Sequence, residues 1–293
     1  MANIVCFGEV LWDVFPSYKM IGGAPLNVAL RLNSLNNDVT IISKVGKDAQ
    51  GSDLLNYLKK EDLSTSAIQI SDSYKTSEVL IRLDDMGAAS YSIEFPCAWD
   101  YIAINDAVVA VVQSSDAFIF GSLIARNEMS YATLLALLEV ANFKIFDVNL
   151  RPPHYEFNTI HTLMQKADFI KFNDEELFEI TKALGSHSTD VKKCVEFISK
   201  HTNTNKICVT LGSKGAVLYV EQRFYFNEGY QVELKDTVGA GDSFLAALIH
   251  QLLNNGSPQK AIDFACAVGA IVASSVGANP TISNQSIIDL MKP

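Results

Sequence analysis

The chain has 293 residues, 48% of them hydrophobic, enough to bury a large core in one big domain or two small ones. Its 33 acidic and 23 basic residues give a formal charge of −10, with no dense Lys/Arg run, which argues against nucleic acid and anionic membrane as partners. The longest apolar tract, Ala265–Ala273, falls far short of the roughly 18–20 residues a membrane span needs.

The first predicted element is a strand at Ile4–Phe7 with no basic leader before it, read as a cytoplasmic chain. Five scattered cysteines without Cys-x-x-Cys fit buried thiols in a reducing compartment. The strand runs into Gly8-Glu9-Val10-Leu11-Trp12-Asp13 and then Gly22-Gly23-Ala24-Pro25-Leu26-Asn27. Paired glycines allow close backbone approach to a ligand, and Pro25 suits the first turn of a helix expected over Ala24–Leu35. Asp13 and Asn27 can offer hydrogen bonds to a neutral polyol; a plain turn with a surface acid is the alternative. A strand at Val39–Ser43 and a helix at Gly51–Lys60 follow. Lys75–Phe95 then alternates apolar and polar residues, which predicts a hairpin, Ser77–Leu83 and Ala88–Phe95, around Asp84-Asp85-Met86-Gly87. With Glu9–Phe15 it makes a small sheet outside the main one, a lid spanning about 9–23 and 75–100 on one 1–293 domain.

Further strands are expected at Ala117–Phe120, Lys144–Asp147, Phe169–Phe172 and Ile207–Thr210, with helices at Tyr131–Ala141, Glu175–Leu184 and Val191–Lys200. Apolar strands spaced by helices imply an α/β fold with a mostly parallel sheet covered on both faces. Such sheets place ligands at the carboxyl ends of their strands. Three polar clusters fall there. Asp147-Val148-Asn149-Leu150-Arg151 puts Asp147, Asn149 and Arg151 on one side; a solvated strand exit is the alternative. Asn173-Asp174-Glu175-Glu176 opens a helix as a capping box and can also organise Mg²⁺ and its waters. Thr210-Leu211-Gly212-Ser213-Lys214-Gly215 is a Gly-rich turn whose backbone could line a nucleotide site.

Asp236-Thr237-Val238-Gly239-Ala240-Gly241-Asp242-Ser243-Phe244 is the most informative stretch. A Gly-rich turn opening a helix leaves backbone N–H groups unpaired at the positive end of the dipole, a seat for phosphate. Asp242 at its mouth is either a cap or a base acting beside a transferred phosphoryl group. The absence of a Gly-Lys-Ser/Thr ending excludes a P-loop. The small-residue helix around Cys266 and Gly269 either packs closely or lets a flat adenine lie against it.

These pieces, in this order and over essentially the whole chain, resemble the PfkB (ribokinase-like) family of carbohydrate kinases, and within it bacterial fructokinases. The resemblance implies a three-layer α/β/α fold and ATP-dependent phosphorylation of a small sugar, with fructose as the first expectation. Kinases for ribose or a keto-sugar acid such as 2-keto-3-deoxygluconate, and a non-catalytic sensor on the same fold, are the rivals. It makes Asp242 the general base and the N–H groups of Gly239, Ala240 and Gly241 the anion hole. Asp13, Gly22, Gly23, Asn27 and Arg151 become sugar contacts. Asn149, Asn173, Glu176, Thr210, Gly212, Gly215, Cys266 and Gly269 become the ATP side, with Mg²⁺ held near Asn173 and Glu176 through water. A K⁺ ion is matched by Asp236, Val238, Val272, Gly277 and Thr281. One departure stands out: the Tyr-Arg pair that ends the lid hairpin in fructokinases and keto-sugar-acid kinases is missing from Ile93-Glu94-Phe95-Pro96-Cys97-Ala98-Trp99-Asp100. The exposed lid strands suggest a homodimer in which two subunits cover each other's edges.

Overall fold

A computed structural model describes residues 1–83 and 89–292, so the hairpin turn expected at 84–87 lies outside the described residues. In chain order the first half contains β1 (Asn3–Phe7), β2 (Leu11–Val14), β3 (Lys19–Gly22), α1 (Ala24–Ser34), β4 (Asp38–Gly46), α2 (Ala49–Lys60), β5 (Ile68–Ser71), β6 (Ser77–Leu83) and β7 (Ala89–Ile93). Next come α3 (Asp106–Gln113), β8 (Ala117–Gly121), α4 (Glu128–Leu138), β9 (Lys144–Asp147), α5 (Phe157–Lys166), β10 (Phe169–Asn173) and α6 (Asp174–Ala183). The chain closes with α7 (Val191–Thr202), β11 (Lys206–Thr210), β12 (Ala216–Val220), β13 (Arg223–Asn227), α8 (Ala240–Leu253), α9 (Pro258–Ala273) and α10 (Asn284–Met291).

The main sheet has nine strands in the order β13-β12-β11-β10-β9-β8-β1-β4-β5. Every pairing from β5 to β11 is parallel, and β12 and β13 extend the β11 edge antiparallel. Side chains of a strand alternate between faces, and the buried residues of β1 divide accordingly. Ile4 and Cys6 join a core with α1, α8 and α9, whereas Val5 and Phe7 join a core with α4, α5, α6 and α7. With one face sealed by each helical layer, central strands can be apolar throughout. The three-layer α/β/α expectation is met.

A second sheet of four strands runs β3-β2-β6-β7, with β2 and β6 parallel and the outer pairs antiparallel. Its strands fall within the 9–23 and 75–100 spans expected for the lid. Sequence reading missed β3, β5 and β13 as separate strands, and gave β12 only as the chain turning back after the Gly212–Gly215 turn. It placed the α4 helix three residues late, because Asn127 caps that helix through its side chain on the Met129 N–H. Among the described residues no helix is long and apolar enough to cross a membrane.

Candidate active site

A cavity of about 690 Å³ opens at the carboxyl ends of the parallel strands. Its floor takes residues from the ends of five parallel strands: Glu9 after β1, Leu123 after β8, Asn149 to Pro152 after β9, Asn173 on β10 and Thr210 on β11. The small sheet forms a wall through Leu11, Asp13, Val79 and Ile93. Gly23 and Asn27 at the start of α1, and Val238, Gly239, Gly241 and Asp242 at the start of α8, complete the lining. Eleven residues singled out in separate parts of the sequence are therefore neighbours.

The start of α8 is built to leave amides open. Gly239 is its N-cap at φ 75° and supplies no side-chain cap. A Cβ there would come within 2.7 Å of Ala278, so the left-handed turn and the tight packing both demand glycine. Gly241 is different: a Cβ would meet only Lys171 Nζ, at 3.5 Å, in the space an anion would occupy. Ala240, grouped with these two by the resemblance, turns its N–H back to the Thr237 carbonyl at 3.2 Å. Among the described residues, the Gly239 and Gly241 N–H groups have no such backbone acceptor.

Asp242 projects from the first turn of α8 into this space. Its Oδ2 accepts a hydrogen bond from Asn27 Nδ2 at 2.8 Å. Burial, reinforced by the Asp147 carboxylate, raises its pKa to about 6, while Asn27, Lys171 and Arg151 oppose the shift. Asp13 is likewise pushed up to about 6 by burial and then by Asp242. It folds back over Gly22, where any Cβ would collide with its Oδ2. The glycine pair thus has two duties. Gly22 makes room for the Asp13 carboxylate, and Gly23, at φ 108°, passes against the Glu9 carbonyl.

Two residues here escaped sequence reading. Lys171 is buried on β10, with Nζ 3.0 Å from Asp147 Oδ1. Burial pulls its pKa down, but the carboxylates of Asp147, Glu176 and Asp242 outweigh that and the net shift is upward, so the cation persists. Its signal was a lysine inside an otherwise apolar strand, Phe169-Ile170-Lys171-Phe172. Glu9 is the other: 4% exposed, with Oε1 accepting the Ala24 N–H at 3.3 Å and Oε2 unpartnered. Burial raises its pKa to about 7. A charged residue following an apolar strand into Val10-Leu11 was the available clue.

Apart from Asn173, which lines the cavity, the sequence-predicted residues described next lie around it. Glu176 and Asn173 form a reciprocal capping box, Oε2 of Glu176 accepting the Asn173 N–H and Oδ1 of Asn173 accepting the Glu176 N–H. Glu176 Oε1 also accepts the Leu150 N–H at 3.0 Å, so this acid shapes the β9 exit that carries Arg151. Gly215 packs against Asn227 and Gly229, a structural turn, whereas Gly212 borders open space. Gly269 faces Phe244 and the Ala240 carbonyl, where α9 crosses α8, and Cys266 beside it is buried with its thiol pushed up to about 12 by desolvation. Asp236 binds two main-chain donors, Val238 N–H through Oδ1 at 3.0 Å and Gly277 N–H through Oδ2 at 3.1 Å. That carboxylate fastens the loop before α8 to the loop after α9.

The cavity therefore joins the Gly-rich start of α8, a cation at Lys171, and the raised-pKa carboxylates of Asp242 and Asp13. This arrangement suits transfer of an anionic group to a hydroxyl. Comparison with known proteins agrees. Residues 1–285 match the pfkB family carbohydrate kinase pattern. "Fructokinase-2" of Solanum lycopersicum is 28% identical, the match covering 97% of this chain and 94% of that protein. An uncharacterized sugar kinase of Pyrococcus horikoshii superposes with a TM-score of 0.85 at 25% identity over 99% of both chains. A double mutant of a fructokinase from Vibrio cholerae O395, solved with fructose, ADP and potassium ion bound, superposes at TM-score 0.86 and 23% identity, covering 100% of this chain and 99% of that one. The architecture, the site and the match over nearly the full length place this chain in the pfkB family of carbohydrate kinases.

Proposed function

We propose that this sugar kinase transfers the γ-phosphoryl group of ATP to a hydroxyl of fructose, with Asp242 as the general base. The observation that carries the proposal is the position of Asp242, hydrogen-bonded to Asn27 of α1 and one residue from Gly241 at the start of α8. Its carboxylate takes the proton of the attacking hydroxyl. A pKa near 6 leaves it ionised at neutral pH yet basic enough to help, and such positioned bases contribute roughly 10²–10⁴-fold. The N–H groups of Gly239 and Gly241, the α8 dipole and the Lys171 ammonium stabilise the charge that develops on the transferred group. Asp13, Gly23 and Asn27 hold the sugar; Asn149, Asn173, Thr210 and the Gly212 turn lead away from the seat on the nucleotide side, with Cys266 and Gly269 behind them.

Mg²⁺ would be carried by phosphate oxygens and water, with Asn173 and Glu176 acting on it through water, because the side-chain oxygens of both already accept backbone N–H groups. When bound it neutralises phosphate charge. A K⁺ ion fits beside Asp236, whose two backbone bonds orient its carboxylate, with carbonyls of Val238, Val272 and Gly277 and the Thr281 side chain as further oxygens. Support for fructose, an adenine nucleotide and K⁺ comes from the fructokinases that the chain resembles. A homodimer through the small sheet is supported by exposed Tyr18 and Leu80 there, and light scattering tests it.

One observation favours a second acceptor class. Arg151 lines the cavity and, among the described residues, its guanidinium bonds only the Leu150 carbonyl, through Nη1, which leaves the rest to meet a ligand. A carboxylate-bearing keto-sugar would use it. A coupled assay with ATP, Mg²⁺ and a panel of fructose, ribose, 2-keto-3-deoxygluconate and nucleosides separates these readings. Turnover greatest with fructose is expected. Turnover greatest with the sugar acid, and lost in Arg151→Leu, would shift the substrate, and no turnover with any acceptor would favour a sensor.

A further inference from the structure

α1 meets the start of α8 and the loop after α9 through two polar rungs, one helical turn apart. In the first, Asn27 Nδ2 donates to Asp242 Oδ2 and Asn27 Oδ1 accepts from Asn279 Nδ2, both at 2.8 Å. In the second, Arg31 donates through Nε to the Ser243 hydroxyl at 3.2 Å and through Nη2 to the Pro280 carbonyl at 2.8 Å. Residues 27 and 31 share a helix face, so one face of α1 holds residues 242–243 and 279–280 in register. The 277–280 loop is anchored elsewhere too, by Asp236 on the Gly277 N–H and by Ala278 packed against Gly239.

An amide side chain has a donor end and an acceptor end, and it offers Asp242 a donor only when its oxygen is turned the other way. We infer that Asn279 is a positioning residue for phosphoryl transfer: by donating to Asn27 Oδ1 it fixes that amide with its N–H groups on Asp242, and so keeps the base ionised and aimed. The inference rests on the proposed role of Asp242 for its catalytic meaning, though the geometry stands without it. Without a donor at position 279, Asn27 is free to rotate its oxygen toward the carboxylate. A lone-pair contact there favours the protonated acid. The other charged groups around Asp242 are Lys171 on β10, Asp147 on β9, Arg151 beyond it, Glu9 after β1 and Asp13 on β2, and none of them is touched by a change at 279.

The test titrates Asp242 directly by NMR in protein carrying ¹³Cγ-labelled aspartate, its signal assigned by loss in Asp242→Asn. In Asn279→Ala the Asp242 signal should titrate at higher pH, a threefold to tenfold gain in proton affinity on the order expected for losing an oriented donor to a charged group. Asn279→Asp, which matches the native side chain in size, should shift it in the same direction and further. A double-mutant cycle with Asn27→Ala should abolish the Asn279→Ala effect, because the influence travels through Asn27. Kinetics should follow: kcat/KM falls at pH 6 and returns toward wild type at pH 8.5, once the carboxylate is ionised in both proteins. An unmoved Asp242 titration in folded Asn279→Ala and Asn279→Asp, or an effect that survives Asn27→Ala, overturns the inference. Failure of the wild type to phosphorylate any sugar would overturn the proposed reaction instead, and the NMR titration would still decide the role of Asn279.

Discussion

Gly241→Ala separates what α8 needs to fold from what it needs to bind an anion. Gly241 lies in helix, not in the left-handed region, and a Cβ there would touch no protein atom closer than Lys171 Nζ at 3.5 Å. Replacing glycine by alanine in a helix stabilises by about 0.5–1 kcal/mol. With an unfolding entropy of about 2.1 cal/mol/K per residue over 293 residues, that is a rise in Tm of about 1–2 °C. The same methyl occupies the seat between the Gly241 amide and Lys171. Losing one oxyanion-type donor typically costs 10²–10³ in kcat, and a steric block is no gentler. Thermal unfolding and a coupled ATPase-linked kinase assay on one preparation should therefore diverge, with Tm held or raised and kcat/KM for ATP down at least 100-fold. Gly239→Ala is the control, because its φ of 75° and the 2.6 Å approach to Ala278 make it lose stability as well as turnover. Wild-type kinetics in Gly241→Ala would refute the placement of the anion seat.

Other expectations follow from the buried charges. With Asp242 as the proposed base, which acts only when ionised, kcat/KM for the sugar should fall below about pH 6, and a profile flat to pH 4.5 would remove it as the base. Glu9 has a folded-state pKa of about 7 against 4.5 for the free side chain, so the folded state holds its proton more tightly and stability declines as pH rises from about 4.5 to 7. Glu9→Gln removes that decline, worth at most about 3 kcal/mol, and calorimetry should show its Tm advantage growing across this window. Lys171→Met leaves Asp147 buried without its partner and should cost about 3–5 kcal/mol. Adding Asp147→Asn should restore much of the stability but not turnover, as chemical denaturation and kinetics on the double variant would show.

Much of this was legible because parallel strands of an α/β sheet are nearly all apolar, so each polar cluster at a strand exit stood out against its strand. Asn149, Arg151, Asn173 and Thr210 were read that way and do share one cavity. Glycine was legible wherever geometry forbids a side chain, as at Gly23 and Gly239. What stayed hidden was pairing across long sequence separation. Nothing local says that Asn27 reaches Asp242, 215 positions on, or that Asn279 reaches back to Asn27. Lys171 and Glu9 were passed over because each sits in an apolar run, where a charged residue is tolerated only if distant partners meet it. The Asn173–Glu176 box was legible as a cap, but its further link to the Leu150 N–H depends on tertiary packing of β9 beside β10. The edge strand β13 was blurred because one face carries Phe224 and Phe226, which are only partly covered.

The central claim is that one carboxylate deprotonates a sugar hydroxyl beside the amides that open α8. Asp242→Asn keeps the shape and a hydrogen-bonding side chain while removing the base, so calorimetric titration should find sugar and ATP binding within a few-fold of wild type. Single-turnover phosphorylation of the preferred sugar should slow by roughly 10²–10⁴-fold. Phosphorylation at the wild-type rate in this variant, with binding intact, would contradict the account.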